Sequence, residues 1–180
     1  LNSLLLLRKN KINLRPKSVS KIINDVKKNG DKAVLKYEKR FNKNNIIVPN
    51  SKVVSKLINS LDKKVKKAID VAYNRIYKFH SLQKFTDILY VDKFKNKLEY
   101  KYFPLDSVAI YVPGSSASYP SSVLMNAIPA LVAGVKRIVM INPSYKGKLN
   151  PAVLYAARKC KIKEIFSIGG PSAIAAVAYG

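Results

Sequence analysis

The sequence predicts an α/β protein in which a helical N-terminal region and a β-hairpin precede an incomplete parallel β-α-β-α-β-α unit. In the first half, apolar residues recur every three or four positions, which is typical of amphipathic helices. After residue 104, three short apolar runs alternate with helical patterns, which is typical of a parallel sheet buried on both faces. We therefore divide the chain into residues 1–103 and residues 104–180.

Helices account for most of the first region. Apolar positions at helical spacing predict a first helix that Gly30 stops and a second helix that Asp31 caps. Ser51 is the expected cap of a short third helix, and Asp62 is the expected cap of a long fourth helix. The first region is thus predicted to be a set of helices with solvated lysines on the outer faces.

A hairpin and three buried strands follow the helices. Alternating runs at 88–91 and 97–103 predict two antiparallel strands. The apolar runs at 108–112, 138–141 and 164–168 predict parallel strands. The helical patterns between and after these strands lie at 121–134, at 151–160 and from 171 onward. This unit is typical of half a doubly wound, Rossmann-like domain, and three strands leave at least one sheet edge unpaired.

Length and composition fit one ordinary domain, or one domain with an appendage, that buries a real core. The chain has 180 residues, of which 48% are hydrophobic. Its single cysteine, Cys160, cannot form an internal disulfide, and the helical apolar pattern around it predicts a buried structural thiol. No stretch approaches the roughly 18 apolar residues of a membrane span, and the apolar start at 1–7 is too short for a signal peptide. We expect a soluble, cytoplasmic protein.

The net charge of +24 is the unusual feature of the composition. Most of the excess lies in the first part, where residues 1–101 include 26 basic and 8 acidic residues. Such an excess can mark a nucleic-acid-binding surface. However, lysine outnumbers arginine 28 to 6, whereas proteins that recognise bases or phosphates usually do so with the bidentate guanidinium group of arginine. We favour the compositional bias of an A+T-rich genome and do not expect a nucleic-acid partner.

Open α/β sheets bind ligands outside the carboxyl ends of their strands, and the loop after the first parallel strand is one candidate. Gly114 in this loop would let the backbone approach a ligand, and Ser115 and Ser116 supply hydroxyl groups. Ser121 or Ser122 can cap the following helix, whose N-terminus attracts anions. Small residues after a strand also form simple turns, so this loop alone does not define a dinucleotide site.

Three other side chains are candidates for function. Tyr111 could stack on a flat ring, or it could pack over the sheet edge. In the loop at 169–172, Pro171 suits a first helical turn, and Ser172 either points its hydroxyl toward the same edge or caps the helix. His80, the only histidine, is either a proton-transfer group or a capping and packing residue. The residues form no catalytic triad and no metal-ligand spacing, so we assign no catalytic and no metal residue.

Six segments of the chain form a specific combination of motifs. They are Lys-Asn-Gly-Asp-Lys-Ala (28–33), Phe-His-x-x-Gln (79–83), Ser-Val-Ala-Ile-Tyr-Val-Pro-Gly (107–114), Ser-Ser-Val-Leu-Met-Asn-Ala-Ile-Pro-Ala-Leu-Val-Ala-Gly (121–134), Leu-Tyr-Ala-Ala (154–157) and Ile-Phe-Ser-Ile-Gly-Gly-Pro-Ser-Ala-Ile-Ala-Ala-Val-Ala-Tyr-Gly (165–180). In this order, and over nearly the whole chain, they resemble the histidinol dehydrogenase family.

The resemblance implies a zinc-dependent enzyme of histidine biosynthesis that oxidises L-histidinol to L-histidine in two NAD-dependent steps through an aldehyde. Enzymes of this family are homodimers with Rossmann-like domains. By resemblance, Tyr111 matches a tyrosine that contacts NAD. A second NAD contact of the family is a glutamine in a Gly-Gly-Ala-Gln segment, and here Gly-Gly-Pro-Ser puts Ser172 at that position. The expected cofactor-binding residues are therefore Tyr111, Gly114 and Ser172.

Length separates this chain from the family, whose members are more than twice as long. The family's zinc ligands, its water-activating glutamate and its acid/base histidine match no position here. We therefore expect the N-terminal part of a histidinol dehydrogenase, arising from a truncated gene, an incomplete sequence or a split product. Two alternatives are a basic nucleic-acid-binding domain and a non-catalytic domain that associates with another chain through its unpaired sheet edge.

Overall fold

The computed structural model describes residues 17–114 and 118–179. The chain begins there with four helices: α1 (Lys17–Asn29), α2 (Asp31–Phe41), α3 (Ser51–Asn59) and α4 (Lys63–Ser81). The hairpin strands β1 (Ile88–Val91) and β2 (Lys97–Tyr100) follow. The parallel unit consists of β3 (Ser107–Tyr111), α5 (Pro120–Ala133), β4 (Arg137–Ile141), α6 (Pro151–Lys159), β5 (Glu164–Phe166) and α7 (Gly170–Tyr179). This arrangement confirms the predicted fold class.

The N-terminal ends of the first helices differ in part from the prediction. Asp62 caps α4 as predicted, because its carboxylate accepts two backbone N–H groups of the first turn. The predicted cap at Ser51 is wrong by one residue, since the Asn50 side chain accepts the N–H of the first turn of α3. Asp31 is not a cap either: Gly30, with φ of 52°, occupies that position and lets the chain turn directly from α1 into α2.

The hairpin is antiparallel, as predicted, with Ile88 opposite Tyr100. Its second strand ends at Tyr100 rather than at the predicted residue 103. At this point the Tyr102 N–H donates over 3.0 Å to the Asp87 carboxylate, which lies 15 residues earlier in the chain, instead of extending the strand pairing. The side chains of both strands are exposed on both faces of the hairpin.

The three-stranded sheet is parallel throughout and has the order β3-β4-β5. Strand β5 ends at Phe166, two residues before the predicted end. The Phe166 carbonyl accepts the Asn142 N–H over 2.9 Å, but the next N–H, of Ser167, donates to the Ile47 carbonyl over 2.6 Å. The chain therefore leaves β4 at this point and bonds to the loop between α2 and α3.

Helix α5 begins without a side-chain cap. Tyr119 is its N-cap residue and Pro120, whose fixed φ suits a first helical turn, follows it. The predicted caps at Ser121 and Ser122 are therefore wrong, because both serines already lie inside the helix. Gly134, with φ of 90°, ends the helix in a left-handed conformation.

Each face of the sheet has its own core. One core joins α4 to the face covered by α5 and α6, and it includes Ile69, Leu124, Ile128, Met140, Val153 and Cys160. The other joins α1 and α2 to the face covered by α7, and it includes Val26, Val34, Tyr37, Ile141, Ile168 and Ala173. Both cores thus contain residues from both predicted domains, and the boundary after residue 103 stays a prediction.

Cys160 is a free thiol and only 1% exposed, as predicted. Burial raises the pKa of this thiol to about 12. It is therefore protonated at neutral pH and acts as a small apolar side chain.

A polar contact also connects α4 to α6. The Lys159 ammonium lies 2.8 Å from the Asp70 carboxylate, and the Tyr155 hydroxyl donates to the same carboxylate over 3.1 Å. The hydrogen bond from Lys159 lowers the pKa of Asp70 below its ordinary value.

Among the described residues, no helix is both long enough and apolar enough to cross a membrane.

Candidate functional site

The carboxyl ends of the three parallel strands meet at one edge of the sheet. We call the loops at this edge, residues 112–114, 142–144 and 167–170, the carboxyl rim. Tyr111 ends β3 beside the rim, and its side chain is 37% exposed, enough for a ligand to reach it. Its hydroxyl accepts the N–H of Gly170 over 3.2 Å. The two loops chosen from the sequence are therefore joined directly.

Gly114 lies where no larger residue fits. A Cβ atom at this position would lie 1.6 Å from the carbonyl oxygen of Pro143 and 2.6 Å from its carbonyl carbon. The close backbone approach is thus made to the loop after β4, within the protein itself. A ligand contact at Gly114 stays a prediction, and Ser115 and Ser116 lie outside the described residues.

Ser172 lies in the first turn of α7 and is buried. Its hydroxyl donates to the Gly169 carbonyl over 3.1 Å, a local bond within the start of the helix. The hydroxyl oxygen can still accept a hydrogen bond while it donates this one, but only 3% of the residue is exposed, and a cofactor contact through it stays a prediction.

A layer of buried polar side chains supports the rim from below. The Asn142 amide donates to the Val112 carbonyl over 3.0 Å, which ties the loop after β4 to the loop after β3. The hydroxyls of Ser144 and Ser167 pair with each other, which ties the loops after β4 and β5. Asn44, from the loop between α2 and α3, donates to the Ser167 carbonyl over 2.7 Å. Each rim loop is therefore bonded to a neighbour through a buried side chain.

Glu38 belongs to the same layer, none of whose side chains was predicted from the sequence. It lies on α2 and is 1% exposed. One carboxylate oxygen accepts the Gly169 N–H over 2.7 Å, and the other accepts the Asn42 amide N–H over 2.8 Å. The signal in the sequence is its position four residues after Val34, on the face of the helix that is buried.

His80 lies apart from the rim. It is in the last turn of α4, and its Nδ1 is 2.6 Å from the Gln83 side-chain oxygen. Together with Phe103 and Pro129 it lines a cavity between α4 and α5 that includes no rim residue. Across residues 17–114 and 118–179, no group of three or more His, Cys, Asp and Glu side chains could hold a metal ion.

A parallel sheet with helices on both faces and loops that converge at its carboxyl edge defines the class of α/β proteins, whose open sheets bind ligands outside the carboxyl ends of the strands. The family model described as "Histidinol dehydrogenase" matches residues 7–180. The chain therefore belongs to the histidinol dehydrogenase family, a family of oxidoreductases, and the resemblance inferred from its motifs is confirmed.

Individual relatives agree with this assignment. The chain is 76% identical to a histidinol dehydrogenase of Pelagibacter ubique (strain HTCC1062) over 180 residues, which is all of this chain and 42% of the relative. It is 46% identical to a histidinol dehydrogenase of Rhizobium meliloti (strain 1021), covering 90% of this chain and 38% of the relative. The crystal structure of histidinol dehydrogenase from Elizabethkingia anophelis superposes with a TM-score of 0.86 at 34% identity, covering 91% of this chain and 39% of that one. The chain thus spans about two fifths of the length of these relatives.

Proposed function

We propose that this chain provides an NAD-binding edge of a histidinol dehydrogenase, which oxidises L-histidinol to L-histidine in two NAD-dependent steps. Family membership supports the reaction. The observation that supports the location is the exposed phenol ring of Tyr111, which is held against the N-terminus of α7 at the carboxyl rim. It lies at the carboxyl edge of the parallel strands, where open α/β sheets bind their ligands.

The rim residues fit the chemical groups of NAD. The Tyr111 ring offers a flat face on which a heteroaromatic ring can stack. The first turn of α7, with Ser172 in it, adds the positive end of a helix dipole, which favours the anionic pyrophosphate. At the same edge Gly114 offers backbone atoms alone, because Pro143 fills the space in which a side chain would lie. When bound, NAD supplies the hydride acceptor, and these residues hold and orient it.

Zinc, the second cofactor that the family implies, does not fit the described residues. They contain no cluster of metal-ligating side chains, and Cys160 is buried with a raised pKa. No step that involves zinc is assigned to them.

We also propose a homodimer in the cytoplasm, as for the enzymes that the chain resembles. The hairpin supports association, because Leu89, Tyr90 and Leu98 each expose more than half of their side chains. The lysines of the described residues belong to α1 to α4, the hairpin, α6 and the connecting loops, and we propose no nucleic-acid partner for them.

Titration calorimetry of the 180-residue chain with NAD tests the proposed site. Tyr111→Ala should weaken NAD binding by about 5- to 150-fold, because removal of a stacked aromatic side chain costs roughly 1–3 kcal/mol. Tyr90→Ala, which removes an exposed tyrosine from the hairpin instead, is the control and should leave the affinity unchanged. Equal affinities for the wild type and Tyr111→Ala would exclude Tyr111 from the site, and a wild-type chain that does not bind NAD would contradict the proposed function.

A further inference from the structure

The buried carboxylate of Glu38 needs a physical explanation. It lies on the helix face that also buries Val34 and Tyr37, in a layer where a charged group is costly to bury unless its oxygens are hydrogen-bonded. Both oxygens are bonded, one to the Gly169 N–H and one to the Asn42 side chain. The bond to Gly169 spans 131 residues of sequence and joins the helical region to the carboxyl rim.

The segment that Glu38 holds is closely packed on its other side as well. A Cβ atom at Gly169 would lie 2.6 Å from the Pro143 Cγ atom and 3.5 Å from the Asn42 amide nitrogen. Two residues earlier, the Ser167 carbonyl accepts the Asn44 amide. The peptide bond between Ile168 and Gly169 therefore has a fixed place, and the carboxylate of Glu38 fixes the direction of its N–H.

The next amide in the chain reaches the candidate cofactor site. Gly170 has φ of +66°, a left-handed conformation that suits glycine, and its N–H donates to the Tyr111 hydroxyl over 3.2 Å. Two consecutive amides are thus bonded in turn to a buried carboxylate and to an exposed phenol. A rotation of the peptide bond between Ile168 and Gly169 would also move the Gly170 N–H, and the hydrogen bond that holds the Tyr111 hydroxyl would be lost.

We propose that Glu38 is a positioning residue for the dinucleotide site. It orients the Gly169 peptide so that Gly170 holds the Tyr111 ring ready for a flat heteroaromatic group of the cofactor. Because the Tyr111 ring is already held in place before NAD binds, binding does not cause the entropy loss of ordering it, and the affinity is higher. This inference rests on the NAD site proposed above.

The first test is made without cofactor, on the amide resonances of Gly169 and Gly170 in the 180-residue chain. Glu38→Ala removes the acceptor and should move both amide proton resonances upfield. Glu38→Gln keeps an oxygen acceptor without the charge and should move the Gly169 resonance upfield while leaving Gly170 in place. Glu164→Ala, the control, removes an exposed carboxylate that pairs with Arg137 at the opposite end of β5, and it should move neither resonance.

The second test is the affinity of the same variants for NAD. Glu38→Ala should weaken binding about tenfold, Glu38→Gln should stay within about threefold of the wild type, and Glu164→Ala should equal it. Rescue by Glu38→Gln marks a positioning role, because the neutral amide restores the bond and not the charge.

An unchanged Gly170 resonance in Glu38→Ala, or an unchanged NAD affinity, would overturn the inference. If Glu38→Ala does not fold, as judged by circular dichroism, Glu38→Gln decides: a Gly169 resonance identical to that of the wild type would overturn it. A wild-type chain that does not bind NAD would contradict the proposed function, while the resonances would still report whether Glu38 orients the rim.

Discussion

Replacement of Gly114 by alanine is expected to disrupt the carboxyl rim severely. The added Cβ would lie 1.6 Å from the Pro143 carbonyl oxygen, whereas ordinary contact begins at 3.4 Å, so the loops after β3 and β4 would have to separate by about 1.8 Å. The Cβ atom has a fixed place on the backbone and the Pro143 carbonyl is itself backbone, so no change of rotamer can relieve the contact. Because overpacking typically costs about 1–3 kcal/mol where side chains can adjust, we expect a loss of at least about 3 kcal/mol here.

Urea unfolding followed by circular dichroism measures this loss. At an m-value of about 1.5 kcal/mol/M, it lowers the unfolding midpoint by about 2 M. Gly134→Ala is a matched control, because its Cβ would meet only the Pro104 side chain at 3.7 Å and its cost arises from the left-handed φ of 90°, about 1–2 kcal/mol. A Gly114→Ala midpoint at or above that of Gly134→Ala would refute the packing described for the rim.

Two further predictions concern titratable groups. Burial raises the pKa of Cys160 from 9.0 to about 12, so at pH 8 Ellman's reagent should react with the folded chain about a thousandfold more slowly than with the urea-unfolded chain, and rates within tenfold of each other would contradict the buried site. Because Lys159 lowers the pKa of Asp70 below its ordinary value of 3.8, this pair stabilises the fold above that pH and its contribution is lost as the pH falls through the lowered value. Lys159→Met should therefore lower the free energy of unfolding by about 1 kcal/mol or less at pH 6. The variant should also lose less stability than the wild type between pH 6 and pH 3, as measured by urea midpoints. An equal loss in the wild type and in Lys159→Met would exclude the ion pair as a cause of the pH dependence.

Local chemistry explains which features could be predicted from the sequence. The cap at Asp62 was predictable because the carboxylate bonds to amides two and three residues away. The caps predicted at Ser121 and Ser122 are wrong because the helix already begins at Pro120. Serine and proline are both common at helix starts, so the local sequence does not decide between them. The hairpin strand ended early because a single bond from Tyr102 to a distant carboxylate replaced the strand pairing.

The candidate site was predictable only in part. The apolar runs placed Tyr111 and the loop after β5 at one edge, since parallel strands must bring their carboxyl ends together. The partners of these residues depend on contacts that no local pattern contains. Glu38 lies 131 residues from Gly169 along the chain, and the backbone of Pro143 fills the space beside Gly114 that the sequence analysis assigned to a ligand.

Binding of NAD at the carboxyl rim is tested most directly by backbone amide resonances recorded during a titration of the 180-residue chain with NAD. The amides of Tyr111, Gly114, Gly169 and Gly170 should shift together and saturate with one dissociation constant, while those of the hairpin strand at 88–91 stay unchanged. Resonances of the rim that do not move, or shifts confined to the hairpin and the lysine-rich helices, would contradict a cofactor site at this edge.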